Sequence, residues 1–328
     1  MRPYPMIAAL CGLLALGAVG GPAATAQTKP AGPPLDVSVL VATPAFYDLP
    51  VYALTKVGAD YGIKLNMVET QGGGDTGTIF AGGQGDILMA GIDKAFGFKK
   101  QGVVDAKIVG VVLTAANWSL VVPAKSKYQT VQDLKGSTIG ISGPGSSSDL
   151  LVRWASRKVG LDPAKDLQLI ALGSVASLYA GLENERVNAA VLVSPFLEKA
   201  TGSGMGRVVG DWEGMAYPNN VFMARTSDLK ANPEKAKRFM AAMHDILQRF
   251  QKDRPFALSI AKARYPRESE ETLNRQLDHA IKVLWAPMDG ILSEKLYDNA
   301  RDVMVGSGRL VASDIPPYAD LVSNLVGQ

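Results

Sequence analysis

The apolar positions of this chain fall into two kinds of run. Short, mostly apolar blocks at 35–41, 64–69, 86–90 and 107–113 are the length of buried strands and are flanked by Gly, Asp and other polar residues. The stretches between them, at 48–61, 75–83 and 93–101, carry apolar residues three and four apart, the period of a helix face. Strands and helices alternating at this spacing predict an open, mostly parallel α/β sheet. After a further strand at 118–123 (WSLVVP) the order begins again, with strands at 138–142, 167–171 and 189–193. The helices that follow them open near Ser146, Ser174 and Pro195, and a last strand is expected at 221–224. From Asn232 onward the pattern is helical, over 233–252, 268–285 and 293–306, interrupted by Pro255, Pro266, Pro287 and Pro316-Pro317.

A faint internal repeat links the two halves. Residues 72–90 (GGGDTGTIFAGGQGDILMA) align with 174–192 (SVASLYAGLENERVNAAVL), matching Phe80 with Leu182, Gly83 with Glu185 and Asp86 with Asn188. Each copy reads as turn, helix, tight turn and short apolar strand. The simplest architecture is two similar α/β lobes with the chain crossing between them twice, near 115–122 and 219–225. The first lobe is then discontinuous, 27–117 and 225–328, and the second is 118–224. The helical C-terminal segment is expected to pack on the first lobe.

The first 26 residues change the picture. Arg2, an apolar run at 6–19 and the sequence Ala24-Thr25-Ala26 have the form of a secretory signal with an A-x-A cleavage site. The apolar run is shorter than the roughly 20 residues a membrane span needs. Cys11, the only cysteine, lies inside that run, so the mature chain is expected to have no disulfide, thiolate nucleophile or cysteine-ligated metal. Net charge is +3, or +2 without Arg2, and the basic residues are scattered with no block that would imply nucleic acid. The only histidines, His244 and His279, lie in the helical tail, and Asp75, Asp86 and Asp93 show no paired arrangement. Neither a nucleophilic nor a metal-assisted mechanism has its usual residues, so no catalytic residue, metal or cofactor is expected.

The most informative stretch is 141–160, ISGPGSSSDLLVRWASRKVG. A strand ends, Gly143, Pro144 and Gly145 make a turn, and Ser146 caps a helix whose apolar residues are Leu150, Leu151, Trp154, Ala155 and Val159. Such a turn aims unpaired backbone N–H groups and the positive end of a helix dipole at one point, a place for an anion or an acceptor oxygen. It lacks the Lys-[Ser/Thr] of a P-loop and is no Gly-x-Ser-x-Gly nucleophile elbow. Arg153 is about 10 Å along the helix from Ser146 and reads as a surface or inter-lobe residue.

Several pieces, in this order and spacing, resemble the periplasmic substrate-binding proteins of ABC transporters, in the nitrate/sulfonate/taurine branch. They are Pro50, Ala53 and Gly58; Gly72-Gly73, Phe80, Gly83 and Asp86; Asp133-Leu134-Lys135-Gly136; and Gly145-Ser146-Ser147-Ser148. Gly160-Leu161-Asp162-Pro163, residues 189–195 (AAVLVSP) and Asn232-Pro233-Glu234 complete the set. Ala59-Asp60, Glu185 and Asn188 depart from the pattern. The resemblance implies a type II periplasmic-binding-protein fold: two Rossmann-like lobes that close on a small molecule. It also implies a periplasmic location and delivery to an inner-membrane ABC permease, with the protein acting as a monomer. A sensor for a membrane receptor is the alternative. An enzyme akin to the pyrimidine-synthesising relatives of thiamine biosynthesis is disfavoured, because those rely on a cysteine-rich motif absent here.

Open α/β sheets bind ligands beyond the carboxyl ends of their strands. The candidate ligand residues are therefore Thr43, Phe46 and Tyr47 after the first strand, Gln71, Gly72 and Gly73 after the second, and Gly91 after the third. From the other lobe come Ser142, Gly145, Ser146, Ser147, Ser174, Ser194 and Phe196, with Trp118 and Asn220 at the crossings. This lining of hydroxyls, amides, N–H groups and aromatics suits a small organic anion of sulfonate or carboxylate type, with Ser146 and Ser147 holding its polar end and Gly145 allowing close approach. The mature chain is expected to begin at Gln27. N-terminal sequencing of exported protein checks this, and a retained Met1 contradicts it.

Overall fold

The computed structural model describes residues 32–42, 45–70, 73–285 and 289–325; residues 1–26, expected to be an export signal, lie outside them. Ten strands form two five-stranded sheets. In chain order they are β1 (Leu35–Val41), β2 (Ile63–Glu69), β3 (Ile87–Ala90), β4 (Ala106–Ala115) and β5 (Ser119–Pro123). β6 (Thr138–Ile141), β7 (Gln168–Ala171), β8 (Ala189–Leu192), β9 (Gly206–Asp211) and β10 (Ala216–Arg225) follow. The first sheet has the order β2-β1-β3-β10-β4 and the second β7-β6-β8-β5-β9. In each, three strands run parallel, and a fourth is wedged antiparallel between the third and the last. The longer helices are α1 (Gly73–Ala81), α2 (Ile92–Gln101), α3 (Ser147–Lys158), α4 (Val175–Glu183) and α5 (Phe196–Gly202). The tail contributes α6 (Pro233–Lys252), α7 (Arg254–Arg264), α8 (Glu270–His279) and α9 (Glu294–Gly306).

Local chemistry accounts for these elements. α6 opens with Pro at its first position and Glu234 in its first turn, and buries Ala236, Phe239, Met240, Met243, Ile246, Leu247 and Phe250 on one stripe. In the second sheet alternate residues part between two cores. Leu120, Ala189 and Val191 join the main cluster, while Val121, Ala190 and Leu192 meet Leu178, Tyr179 and Leu182 on the other face. A sheet covered on both faces is what short, nearly continuous apolar blocks require.

The repeat is real in three dimensions, because β3 and β8 hold the same place in their sheets. Asp86 donates its N–H to Ser38 O and accepts Ser38 N–H on Oδ2, both at 2.8 Å. Asn188 does the same with Thr138, at 2.8 and 2.9 Å. An amide oxygen accepts one N–H as well as a carboxylate does, which explains the Asn. The second carboxylate oxygen of Asp86 has a further task, receiving Lys235 at 2.8 Å.

Three expectations are corrected. The last strand spans Ala216–Arg225, not 221–224, and pairs with β3 and β4, so it belongs to the first lobe rather than the second. The second crossing is therefore at 212–215, while the first lies at 116–118 between β4 and β5. β9, an edge strand, was not expected; its two glycines and flanking charges mask the apolar signal. Pro255, read as a helix interruption, instead sits in the first turn of α7, where Asp253 caps the Phe256 N–H at 2.9 Å.

Glu185, aligned with Gly83, holds φ +54°, the only positive φ outside glycine among the described residues; Gly83 has φ +87°. A left-handed residue with a Cβ costs about 1–2 kcal/mol, of which glycine's extra chain entropy returns about half. Glu185→Gly is expected to stabilise the protein by about 1 kcal/mol, raising the calorimetric melting temperature by about 2 °C; a lower melting temperature contradicts this.

Candidate ligand-binding cleft

A cavity of about 420 Å³ lies between the lobes, lined by residues that follow strand ends. Ala42 follows β1, Gly91 follows β3, Ser142 follows β6, and Gly173 and Ser174 follow β7. Trp118, at the first crossing, and Asn220 of β10 close the wall. Parallel strands put the helices that follow them at the same end of the sheet, so helix N-termini converge here. Asp75 from the first turn of α1 lines the cavity, as do the N-caps of α2, α3 and α4, which are Gly91, Ser146 and Ser174.

The charges are unevenly placed. Asp48, Asp75 and Asp93 line the cavity from the first lobe with a single cation, Lys94. Asp93 is buried, and that burial raises its carboxyl above the usual range against the pull of Lys94 and Ser147. Burial likewise pushes Asp48 up to about 8, opposed by the Ala45 N–H and by Arg264. Its Oδ2 accepts that N–H at 3.0 Å, while buried Oδ1 receives no hydrogen bond from the described residues. Nor does the buried Nε1 of Trp118 find an acceptor among them.

On the second lobe the serine hydroxyls are engaged within the protein. Ser146 Oγ donates to Gly143 O at 2.7 Å and accepts Asp149 N–H at 3.3 Å, as an N-cap does. Buried Ser148 bonds Ser142 Oγ at 2.8 Å and accepts its N–H at 3.0 Å. Ser147 Oγ reaches across the cleft and donates to Asp93 Oδ1 at 3.1 Å. Ser147 and Val175, which also line the cavity, are the first residues of α3 and α4, and a first helical N–H has no partner within its helix.

Eight expected site residues line this cavity: Tyr47, Gly91, Trp118, Ser142, Ser146, Ser147, Ser174 and Asn220. Phe46 and Ser194 line a neighbouring cavity of about 360 Å³ that shares Tyr47 with the first. His279, from the helical tail, also lines it and meets Glu213 at 2.8 Å; that bond raises its pKa. Phe196 is not brought to the cleft, because its ring packs on Tyr179 at 5.5 Å in the second lobe's own core. Gly145 does not allow approach to this cavity. It lines an outer one of about 600 Å³, its φ is +74°, and its N–H donates to Asp149 Oδ2 at 2.8 Å. That larger cavity is walled mainly by helix faces, such as Gly77, Gly97 and Met304, rather than strand ends, so the inner one is the candidate site. Thr43, Gln71 and Gly72 lie outside the described residues, and of Gly73 only its place at the start of α1 is described.

Sequence reasoning passed over Asp48 and Lys94 and weighed Asp93 only as an unpaired carboxylate. The strand-end rule could have found Asp93 and Lys94, which stand two and three residues beyond Gly91.

Asp48 yields a pH expectation. Between about pH 4 and about 8 the folded protein keeps a proton that the unfolded chain has released. The contribution of this group is thus complete below pH 4 and lost as pH rises through about 8. Asp48→Asn is expected to flatten the fall in melting temperature over that interval, measured by calorimetry; a slope equal to the parent's contradicts it.

The chain matches the NMT1-like family over residues 41–263. It is similar to YtlA of Bacillus subtilis (strain 168), 24% identical over 301 residues, which cover 89% of each chain. Among solved structures, a protein from Bordetella bronchiseptica RB50 aligns with TM-score 0.76 and 21% identity, over 88% of this chain and 94% of that one. The alkanesulfonate-binding protein SsuA from Xanthomonas axonopodis pv. citri, bound to MOPS, aligns with TM-score 0.72 and 22% identity, over 89% and 99%. Two five-stranded sheets in two lobes agree with those folds. The chain belongs to the NMT1-like family and is built on the two-lobed fold of the periplasmic binding proteins.

Proposed function

We propose that this protein captures a small organic anion, a sulfonate or carboxylate, between its lobes outside the cytoplasm and delivers it to the membrane components of an ABC importer. The observation that carries this reading is the convergence of helix N-termini on one 420 Å³ cavity between two lobes joined by two crossings. Within that cavity the anion end belongs on the second lobe. α4 has no acidic residue in its first turn, and the one in α3, Asp149, has its charge met by Arg153 and Arg309. The N–H groups of Ser147 and Val175 are the donors, acting with the two helix dipoles. A phosphate normally recruits several cations, and Lys94 alone lines the cavity. Tyr47 and Trp118 flank the body of the solute. The alkanesulfonate-binding protein of the same fold supports the substrate class.

The test begins with a thermal-shift panel of sulfonates, carboxylates and nitrate, followed by calorimetry. Val175→Pro removes one proposed donor at a helix position that favours proline, and Ser174 before it is already extended, at φ −74° and ψ 159°. A bond to a charged group is worth about 1.5–3 kcal/mol, so anion affinity is expected to fall roughly 10- to 100-fold while the ligand-free melting temperature holds. If no anion of the panel stabilises the parent, or if Val175→Pro binds as the parent does, the reading fails.

A further inference from the structure

Asp149 is fully buried, and four donors meet its two oxygens. Oδ1 takes Arg153 Nε at 2.6 Å, one helical turn further along α3. Oδ2 takes the N–H of Gly145, in the turn that leads into the cleft, at 2.8 Å. The same oxygen also takes Arg309, Nε at 3.0 Å and Nη2 at 2.7 Å. Arg309 does not belong to this lobe. It follows α9, which packs on β10 and α2 of the first lobe and lies against α3 as well, where small residues let the tail come close. A Cβ at Gly306 would stand 2.8 Å from Trp154 Cδ1, and one at Gly308, where φ is +75°, would meet the Arg157 guanidinium.

We propose that Arg309 is a positioning residue for the cleft. By sharing Asp149 Oδ2 with the Gly145 N–H, it ties the conformation of the turn at 143–147 in one lobe to the position of the other. The donors at the start of α3 are then in place for an anion only while the lobes are together; this last step rests on the function proposed above. Separating the lobes would leave a buried carboxylate with one cation fewer, a state that admits water and releases the turn. Lobe closure and assembly of the anion-binding turn thereby become one event. No part of Arg309 needs to touch the solute.

Arg153 supplies the control, since it neutralises the same carboxylate without crossing between lobes. The only cysteine is Cys11, so a mature chain carrying Lys64→Cys and Lys165→Cys takes one spin label on each lobe at well-exposed sites. Pulsed electron resonance then reads the inter-lobe distance without any ligand, and hydrogen exchange reads the Gly145 amide. Arg309→Gln is expected to lengthen or broaden the distance distribution and to speed Gly145 exchange roughly 10-fold or more. Arg153→Gln should leave the distance unchanged, and Arg309→Lys should restore part of the parent's behaviour. An unchanged distance in Arg309→Gln, or equal effects of the two glutamine variants, overturns the proposal. Should Arg309→Gln not fold, Arg309→Lys carries the test: it loses the forked contact, so a distance and exchange rate identical to the parent's overturn the proposal. These measurements need no solute, so a failed anion panel would sink the functional reading and leave this one standing.

Discussion

Everything in this molecule depends on a constraint of chain direction. β5 and β10 are each the first strand the chain makes after crossing from the other lobe, and each is wedged antiparallel between two strands of its new sheet. A strand in that position has a paired neighbour on both sides, so neither crossing can be withdrawn without tearing a sheet apart. The two lobes are thus held at 116–118 and 212–215, with the carboxyl ends of their parallel strands facing one another across the gap. The position of the cleft follows from this, and so does the convergence of helix N-termini on it.

The two walls of the cleft differ electrically. The first-lobe wall carries Asp48, Asp75 and Asp93, and burial favours the neutral form of Asp48 and Asp93. The second-lobe wall carries helix N-termini whose own acid, Asp149, is matched by two arginines. One wall therefore offers helix N-termini, while on the other burial raises the carboxyls of Asp48 and Asp93 above their usual range. The hydrogen bond from Ser147 to Asp93 joins the two walls, and Tyr217, almost fully buried, engages the same serine. A serine at the start of a helix serves here as an inter-lobe contact.

Glycine has two separate uses around this site. At Gly91 an added Cβ would stand 2.1 Å from Asp93 Oδ1 and 2.9 Å from Ser147 Oγ, so the residue is small because the inter-lobe contact passes directly over it. At Gly145 an added Cβ would meet only Arg309 Nη2, at an ordinary 3.7 Å, and the backbone is the reason, since φ is +74° and the N–H points at Asp149. Both are glycine in a loop that follows a strand, and only the three-dimensional surroundings tell the two reasons apart.

The amino-acid sequence by itself determined what is local. The extent of β1 and α6, the N-caps at Ser146 and Ser174, and the doubled turn–helix–turn–strand unit were all legible from periodicity and capping, because each is fixed by residues within a few positions of one another. The tertiary structure decided which groups meet. Asp48 and Trp118 are far apart in the chain and line one cavity, and Ser147 spends its hydroxyl on a residue 54 positions away. Arg309 lies 160 positions beyond its partner Asp149. Phe196 reads like a cleft aromatic and packs inward instead. The physical reason is common to all of these: hydrogen-bonding capacity and charge belong to the residue, but the partner that uses them is chosen by how the sheets pair and how the lobes come together.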